Sequence, residues 1–166
     1  MKYCPHCGSP LAASILSGRE RLVCSADCGY VFWDNPVPVV AAVVELGDSV
    51  VLIRNKGWPE KYRGIVAGFL EKDESPEDGI LRELKEELGL DGEIVGFIGN
   101  YAFPLKNQIV LAYHIKASGE IVLGEELAAY ELVPPDRLKP WSLGTGPALK
   151  DWLDRRGFQI KKEARS

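Results

Sequence analysis

The chain has 166 residues, 46% of them hydrophobic, with 20 basic and 24 acidic side chains and a net charge of −4. That is enough chain to bury one sizeable core, about 70% of the unfolded surface, and the acidic balance argues against broad, sequence-independent nucleic-acid binding. Met1-Lys2-Tyr3-Cys4 starts no apolar signal core and no apolar run approaches the ~18 residues of a membrane span, so the cytoplasm is the expected location.

All four cysteines fall in two short runs, Cys4-Pro5-His6-Cys7-Gly8 and Cys24-Ser25-Ala26-Asp27-Cys28-Gly29. Paired thiols, each pair followed by glycine, are the pattern of two knuckles that donate Cys4, Cys7, Cys24 and Cys28 to one Zn²⁺. Two disulfides are the competing reading, which a reducing compartment disfavours; a Cys-x-x-Cys bridge also closes a strained ring. Sixteen residues separate the pairs. They suffice for a hairpin of Leu11 to Leu16 and Arg19 to Val23, turning near Ser17-Gly18. His6, inside a knuckle, reads as solvent-facing rather than as a ligand. A ribbon this small cannot fold on apolar burial alone, so the metal is expected to supply its stability. Arg19 and Arg21 are the only arginines near it, which favours a scaffold or homodimer-forming role over RNA binding.

Tyr30 to Pro36 reads as a link, stiffened at its exit by Pro36 and Pro38. Val37 to Leu46 is an almost continuous apolar, β-branched run and predicts a central buried strand. Gly47-Asp48 then turns into a second strand, Ser49 to Arg54. From Asn55 to Arg63 the chain is a loop that interleaves Lys56, Lys61 and Arg63 with Trp58 and Tyr62. Such a loop suits phosphate and base, or is solvated with Trp58 folded onto the core. Gly64 to Glu71 is expected as the next strand.

The helix that follows has clear ends. Ser75 suits the N-cap, Pro76 the first helical position, Asp78 a capping box with Ser75, and Gly89 a left-handed C-cap. At about 100° per residue, Ile80, Leu81, Leu84 and Leu88 share one face. Glu83, Glu86 and Glu87 fall together beside it. Carboxylates so placed repel by a few tenths of a kcal/mol per pair, and Arg82 and Lys85 project elsewhere on the helical wheel. One reading is a solvated acidic face. The other is a site for Mg²⁺ or Mn²⁺, which prefer carboxylate and water oxygens.

Strands are expected at Glu93 to Ala102, Gln108 to Ala117 and, briefly, Glu131 to Val133. A turn spans Pro134 to Leu138, a closing helix Gly146 to Arg156, and a polar tail Lys161 to Ser166. Alternating strands and two helices predict an α/β fold, an α/β/α sandwich around a mixed sheet.

Gly68, five residues, Glu74, seven residues, then Arg82-Glu83-Leu84-Lys85-Glu86-Glu87-Leu88-Gly89-Leu90 resembles the complete Nudix box at every fixed position. The resemblance implies a Nudix hydrolase, whose loop–helix–loop binds Mg²⁺ and cleaves a diphosphate linked to a nucleoside. It implies metal ligation by Glu83, Glu86 and Glu87. Glu74 and Arg82 would brace the loop against the helix, and Gly68 and Gly89 would be structural. The chain then divides into a zinc ribbon (1–33), a Nudix domain (34–160) and the tail (161–166).

A zinc ribbon leading through Asp34-Asn35-Pro36 into such a domain is similar to the NADH pyrophosphatase branch of the family. By that resemblance, Phe69 is the aromatic that stacks on the substrate base. Glu126, ten residues before Asp136, is the late glutamate that adds to the metal site or serves as base. Its neighbour Glu125 competes for that place, and the alternative reading of either residue is simply a cap for the segment that follows. The Ser-Gln-Pro-Trp-Pro-Phe-Pro signature of the branch is reduced here to Tyr101 and Phe103-Pro104, so the resemblance is weakest where substrate is chosen. The implied reaction is attack of a metal-activated water on the diphosphate of NADH, ADP-ribose, FAD or a similar dinucleotide. Arg54, Lys61 and Arg63 are candidates for its non-bridging oxygens. Two other readings are a nucleotide-binding module without catalysis, which would not need every carboxylate, and an RNA-end-processing protein that uses the ribbon for partner binding.

Overall fold

Ser17 and Gly18 take φ of 50° and 75°, a turn whose twist matches that of the strands it joins. Around it β1 (Leu11–Leu16) and β2 (Arg19–Cys24) pair antiparallel, and β3 (Val31–Phe32) adds to β2. The computed structural model describes residues 1–158; the expected tail 161–166, and the last residues of the span 34–160, lie outside the described residues. This first sheet belongs to a unit of its own, Met1–Pro36, and a second unit begins at Val37. Within the first, the only buried apolar side chains among the described residues are Cys4 and Cys24. It has no hydrocarbon core to hold it.

The second unit is built on β4 (Val37–Leu46), whose residues Val39 to Val44 are all buried. One edge of β4 runs parallel to β8 (Gln108–Ser118) along its whole length. The other edge is shared. Its first half pairs with β6 (Val66–Phe69), while β5 (Ser49–Asn55) touches it only at the hairpin end, Glu45↔Val50 and Leu46↔Ser49. The long β7 (Asp91–Phe103) flanks β8, and β9 (Leu127–Val133) flanks β5, giving the order β7-β8-β4-β5-β9.

Helix α1 (Pro76–Leu88) lays Ile80, Leu84 and Leu88 on Val40, Ala42 and Val44; α2 (Gly146–Arg155) lays Leu149, Trp152 and Leu153 on Val39, Ala41 and Val43. With helices on both faces, both alternating sets of β4 must be apolar, which is why its sequence reads as an unbroken run. The α/β/α sandwich around a mixed sheet is therefore the observed architecture. Among the described residues, no helix is long and apolar enough to cross a membrane.

Three elements differ from the sequence reading, the first being β3, a strand inside the stretch Tyr30 to Pro36 read as a link. The strand expected at Gly64 is only Val66–Phe69, with Gly64 reduced to a single bridge to Ile53. β9 begins at Leu127 rather than Glu131, with Leu127 to Tyr130 bonded to β5. As an edge strand it is paired on one side only and mostly exposed, so Leu-Ala-Ala-Tyr carries little strand signal.

Candidate functional site

The carboxylates of α1 owe their places to the helix ends. Ser75 is extended and its hydroxyl accepts from the Asp78 amide at 3.1 Å, while the Asp78 carboxylate accepts from that hydroxyl at 2.7 Å. Gly89 closes the helix at φ 68°, its amide bonded to Lys85 O at 2.9 Å. Between these caps the three glutamates are not equivalent. The Glu86 side chain is 59% exposed and that of Glu83 13%, and Glu87 as a residue is only 6% exposed.

Arg82 does not project away from this group, as the wheel suggested. Its Nη1 donates to Glu83 Oε1 at 2.8 Å and to Glu86 Oε2 at 3.0 Å. Its Nε and Nη2 hold Glu74 at 2.8 and 3.0 Å, and Nη2 also reaches Phe69 O at 3.1 Å. A wheel shows only where a side chain leaves the helix; the long arginine stem carries its planar fork back along the helix, one turn on to Glu86. Lys85 does turn away, to Asp91 at 2.8 Å. Gly68 lets β6 approach this cluster: a Cβ there would lie 2.0 Å from Glu83 Cδ, so any side chain at 68 displaces Glu83.

Glu87 is left without such support. Its Oε2 is buried and has no hydrogen-bond partner. Burial, then the charges of Glu83 and Glu126, push its pKa up to about 8, against an opposing hydrogen bond from the Ala67 backbone. Burial also raises Glu83, opposed by Arg82. Glu126 thus lies close enough to both for its charge to act on them, although it sits far along the chain, just before β9. An orphaned, buried carboxylate oxygen amid three further carboxylates fits a divalent cation, which would replace the proton and relieve the repulsion.

A cleft of about 980 Å³ is lined by Gly68, Phe69, Trp58, Tyr62, Phe103 and Trp141, among others. Phe69 is 56% exposed, so its ring is available to a ligand. Lys61 and Arg63 line the wall and Arg54 does not. Arg63 is already engaged, with Glu131 at 3.2 Å and with Glu60 and Tyr62 carbonyls. Of the residues matched to the reduced signature, Phe103 lines the cleft, whereas the Tyr101 hydroxyl donates to Asp151 on α2 at 2.8 Å. Sequence reading missed the wall from Arg137 to Thr145, read only in part, as a turn. Its one signal was Trp141, an aromatic between Pro140 and a glycine. Asn55 was missed too: its Oδ1 is buried without a partner, and the residue lines the cleft.

In the first unit the four sulfurs lie within 4.8 Å of one another, with Cys4–Cys28 at 3.5 Å and Cys7–Cys24 at 3.3 Å, and all four are free thiols. Tetrahedral zinc at ~2.3 Å from each sulfur would set them about 3.8 Å apart, so small shifts complete the site.

The sandwich carries a glutamate-bearing helix, and Gly68, against which Glu83 packs, also lines the cleft. Residues 35–153 match the family model described as NUDIX domain, and residues 2–34 match the zinc-ribbon model described as Nudix N-terminal; the chain belongs to the Nudix family of hydrolases. Nudix enzymes use Mg²⁺ or Mn²⁺, and the cysteine cluster is a structural Zn²⁺ site. The NAD-capped RNA hydrolase NudC of Stutzerimonas stutzeri is 31% identical over 122 residues, 73% of this chain and 43% of that protein. The chain thus spans less than half of that relative. The fold is shared with a NUDIX hydrolase from Nitrosomonas europaea at TM-score 0.77 and 24% identity, over 95% of this chain and 93% of that one. It is shared also with an ADP-ribose pyrophosphatase from Streptococcus suis at TM-score 0.61 and 20% identity, over 80% and 97%.

Proposed function

We propose that the chain hydrolyses a nucleoside diphosphate linked to a second moiety, with a dinucleotide such as NADH, ADP-ribose or FAD as substrate. The observation that carries this is Glu87: a buried carboxylate with an orphaned oxygen, set among Glu83, Glu86 and Glu126, with Glu83 packed against Gly68 of the cleft wall. Glu83, Glu86 and Glu87 are the ligands and Glu126 adds to them, while Gly68, Glu74, Arg82 and Gly89 hold the loop and helix in register. Phe69 stacks on the base. Lys61, Arg63 and Arg54 serve the phosphate oxygens, the first two from the cleft wall.

Mg²⁺ held by Glu83, Glu86 and Glu87 would acidify a water and neutralise charge on the diphosphate. The residues do the rest. Arg82 keeps Glu83 and Glu86 aimed together, and burial keeps Glu87 poor in competing hydrogen bonds. As the water oxygen bonds to phosphorus and the bridging oxygen leaves, one of the four carboxylates takes the proton.

A second reading, hydrolysis of an NAD-type cap on an RNA end, is supported by the likeness to the NAD-capped RNA hydrolase of S. stutzeri. The free thiols favour a cytoplasmic protein, and we give the ribbon a scaffold or homodimer-forming role, measurable by sedimentation. Incubation with Mg²⁺ and a panel of NADH, ADP-ribose, FAD, dinucleoside polyphosphates and an NAD-capped oligonucleotide tests the reading. Mononucleotide release is expected from at least one; no product from any would overturn it. Phe69→Ala should raise KM about 5- to 150-fold with kcat nearly unchanged, because stacking contributes about 1–3 kcal/mol and acts alike on ground and transition states. Unchanged KM across the panel would make Phe69 a wall residue only.

A further inference from the structure

Glu83, Glu86 and Glu87 are placed by their own helix, but Glu126 is not on it. Something else must fix its carboxylate. The segment ahead of it runs back over the last turn of α1, where the final carbonyls have no helical donors. The Val122 amide donates to Leu88 O at 2.9 Å and the Gly124 amide to Glu87 O at 2.9 Å. On the far side, the Lys56 amide, in the loop that lines the cleft, donates to Glu126 O at 2.8 Å. Glu126 is therefore pinned on both sides through its backbone.

Gly124 is the point of closest approach. A Cβ there would lie 2.2 Å from Glu86 O and 3.2 Å from Glu87 Cα. These are backbone atoms of a capped helix and have no rotamer through which to move aside. Gly124 does not have the positive φ that marks many glycines of this chain, so what the position demands is space. A methyl group would push the segment outward by about 1 Å, a displacement that costs on the order of a hundredfold in rate when it moves a reacting group.

We propose that Gly124 is a positioning residue: by docking residues 122–126 on the C-terminal turn of α1 it sets the Glu126 carboxylate beside Glu83 and Glu87. Through Lys56 the same contact ties the cleft loop to the metal-binding helix. The inference rests on the proposed reading, in which Glu126 joins the metal centre.

The test compares Gly124→Ala, Glu126→Gln and the double variant, reading kcat and, separately, Mn²⁺ affinity by electron paramagnetic resonance. Gly124→Ala should lower kcat about a hundredfold and weaken Mn²⁺ binding, and the double variant should be no worse than Glu126→Gln alone, as expected of residues acting as a unit. Multiplied losses in the double variant, or unchanged Mn²⁺ affinity in Gly124→Ala, would overturn the proposal. Hydrogen exchange on the wild type keeps it testable if Gly124→Ala does not fold: the Val122 and Gly124 amides should be protected, and exchange at the free-peptide rate would sink it. If Glu126→Gln matches wild type in both kcat and Mn²⁺ affinity while Glu87→Gln loses both, this inference fails and the hydrolase reading stands.

Discussion

Glu87→Gln is expected to lower kcat by about a thousandfold, because a neutral amide removes several kcal/mol of charge stabilisation from the metal site. The fold should survive, since glutamine has the shape of the protonated acid that occupies this place in the metal-free protein. The same residue sets a pH signature. Its folded pKa is raised to about 8, so folding keeps a proton that the unfolded chain has already lost. Stability from that source is fully present below the unfolded carboxyl value of about 4.3 and is lost as pH rises to about 8. Glutamine does not titrate. In EDTA the variant should therefore gain on wild type in unfolding free energy from about pH 5 to pH 9, by an amount on the order of a few kcal/mol, read as a rising difference in Tm. Mg²⁺ narrows the difference at high pH: wild type gains RT ln(1 + [L]/Kd), about 2.7 kcal/mol at a hundredfold excess, and the variant gains less. Wild-type turnover in Glu87→Gln, or Tm differences that do not depend on pH, would remove Glu87 from the centre.

Cys24→Ser should unfold the first unit and leave the second standing. Elemental analysis of the wild type should find about one zinc per chain, and the variant should lose it. Structural zinc contributes roughly 10–16 kcal/mol of apparent binding energy in zinc-finger peptides, and nothing in residues 1–36 replaces it, since Cys4 and Cys24 are themselves the unit's only buried apolar side chains. Hydrogen exchange should then become fast across residues 1–30 while the amides of α1 and β4 stay protected. A zinc-free wild type with two disulfides by mass spectrometry would overturn the site.

How much of this was legible beforehand follows from the range over which each feature is decided. The ribbon hairpin, the buried run of β4, both caps of α1 and the grouping of Glu83, Glu86 and Glu87 depend on spacings of a few residues, where strand and helix periods are constant, and all could be read from the chain. The four thiols were legible for the same reason. Tertiary structure alone decided how the three glutamates differ. The sequence spread their repulsion evenly, but Arg82 neutralises the outer two and burial isolates Glu87, because solvent exposure is set by what packs above the helix. It decided too that Val122 and Gly124 dock on the end of α1, that the cleft takes its far wall from Arg137 to Thr145, and that Gly124 has no room for a side chain. Those are contacts between segments tens of residues apart, where no local period operates and only the packed backbone sets the distances.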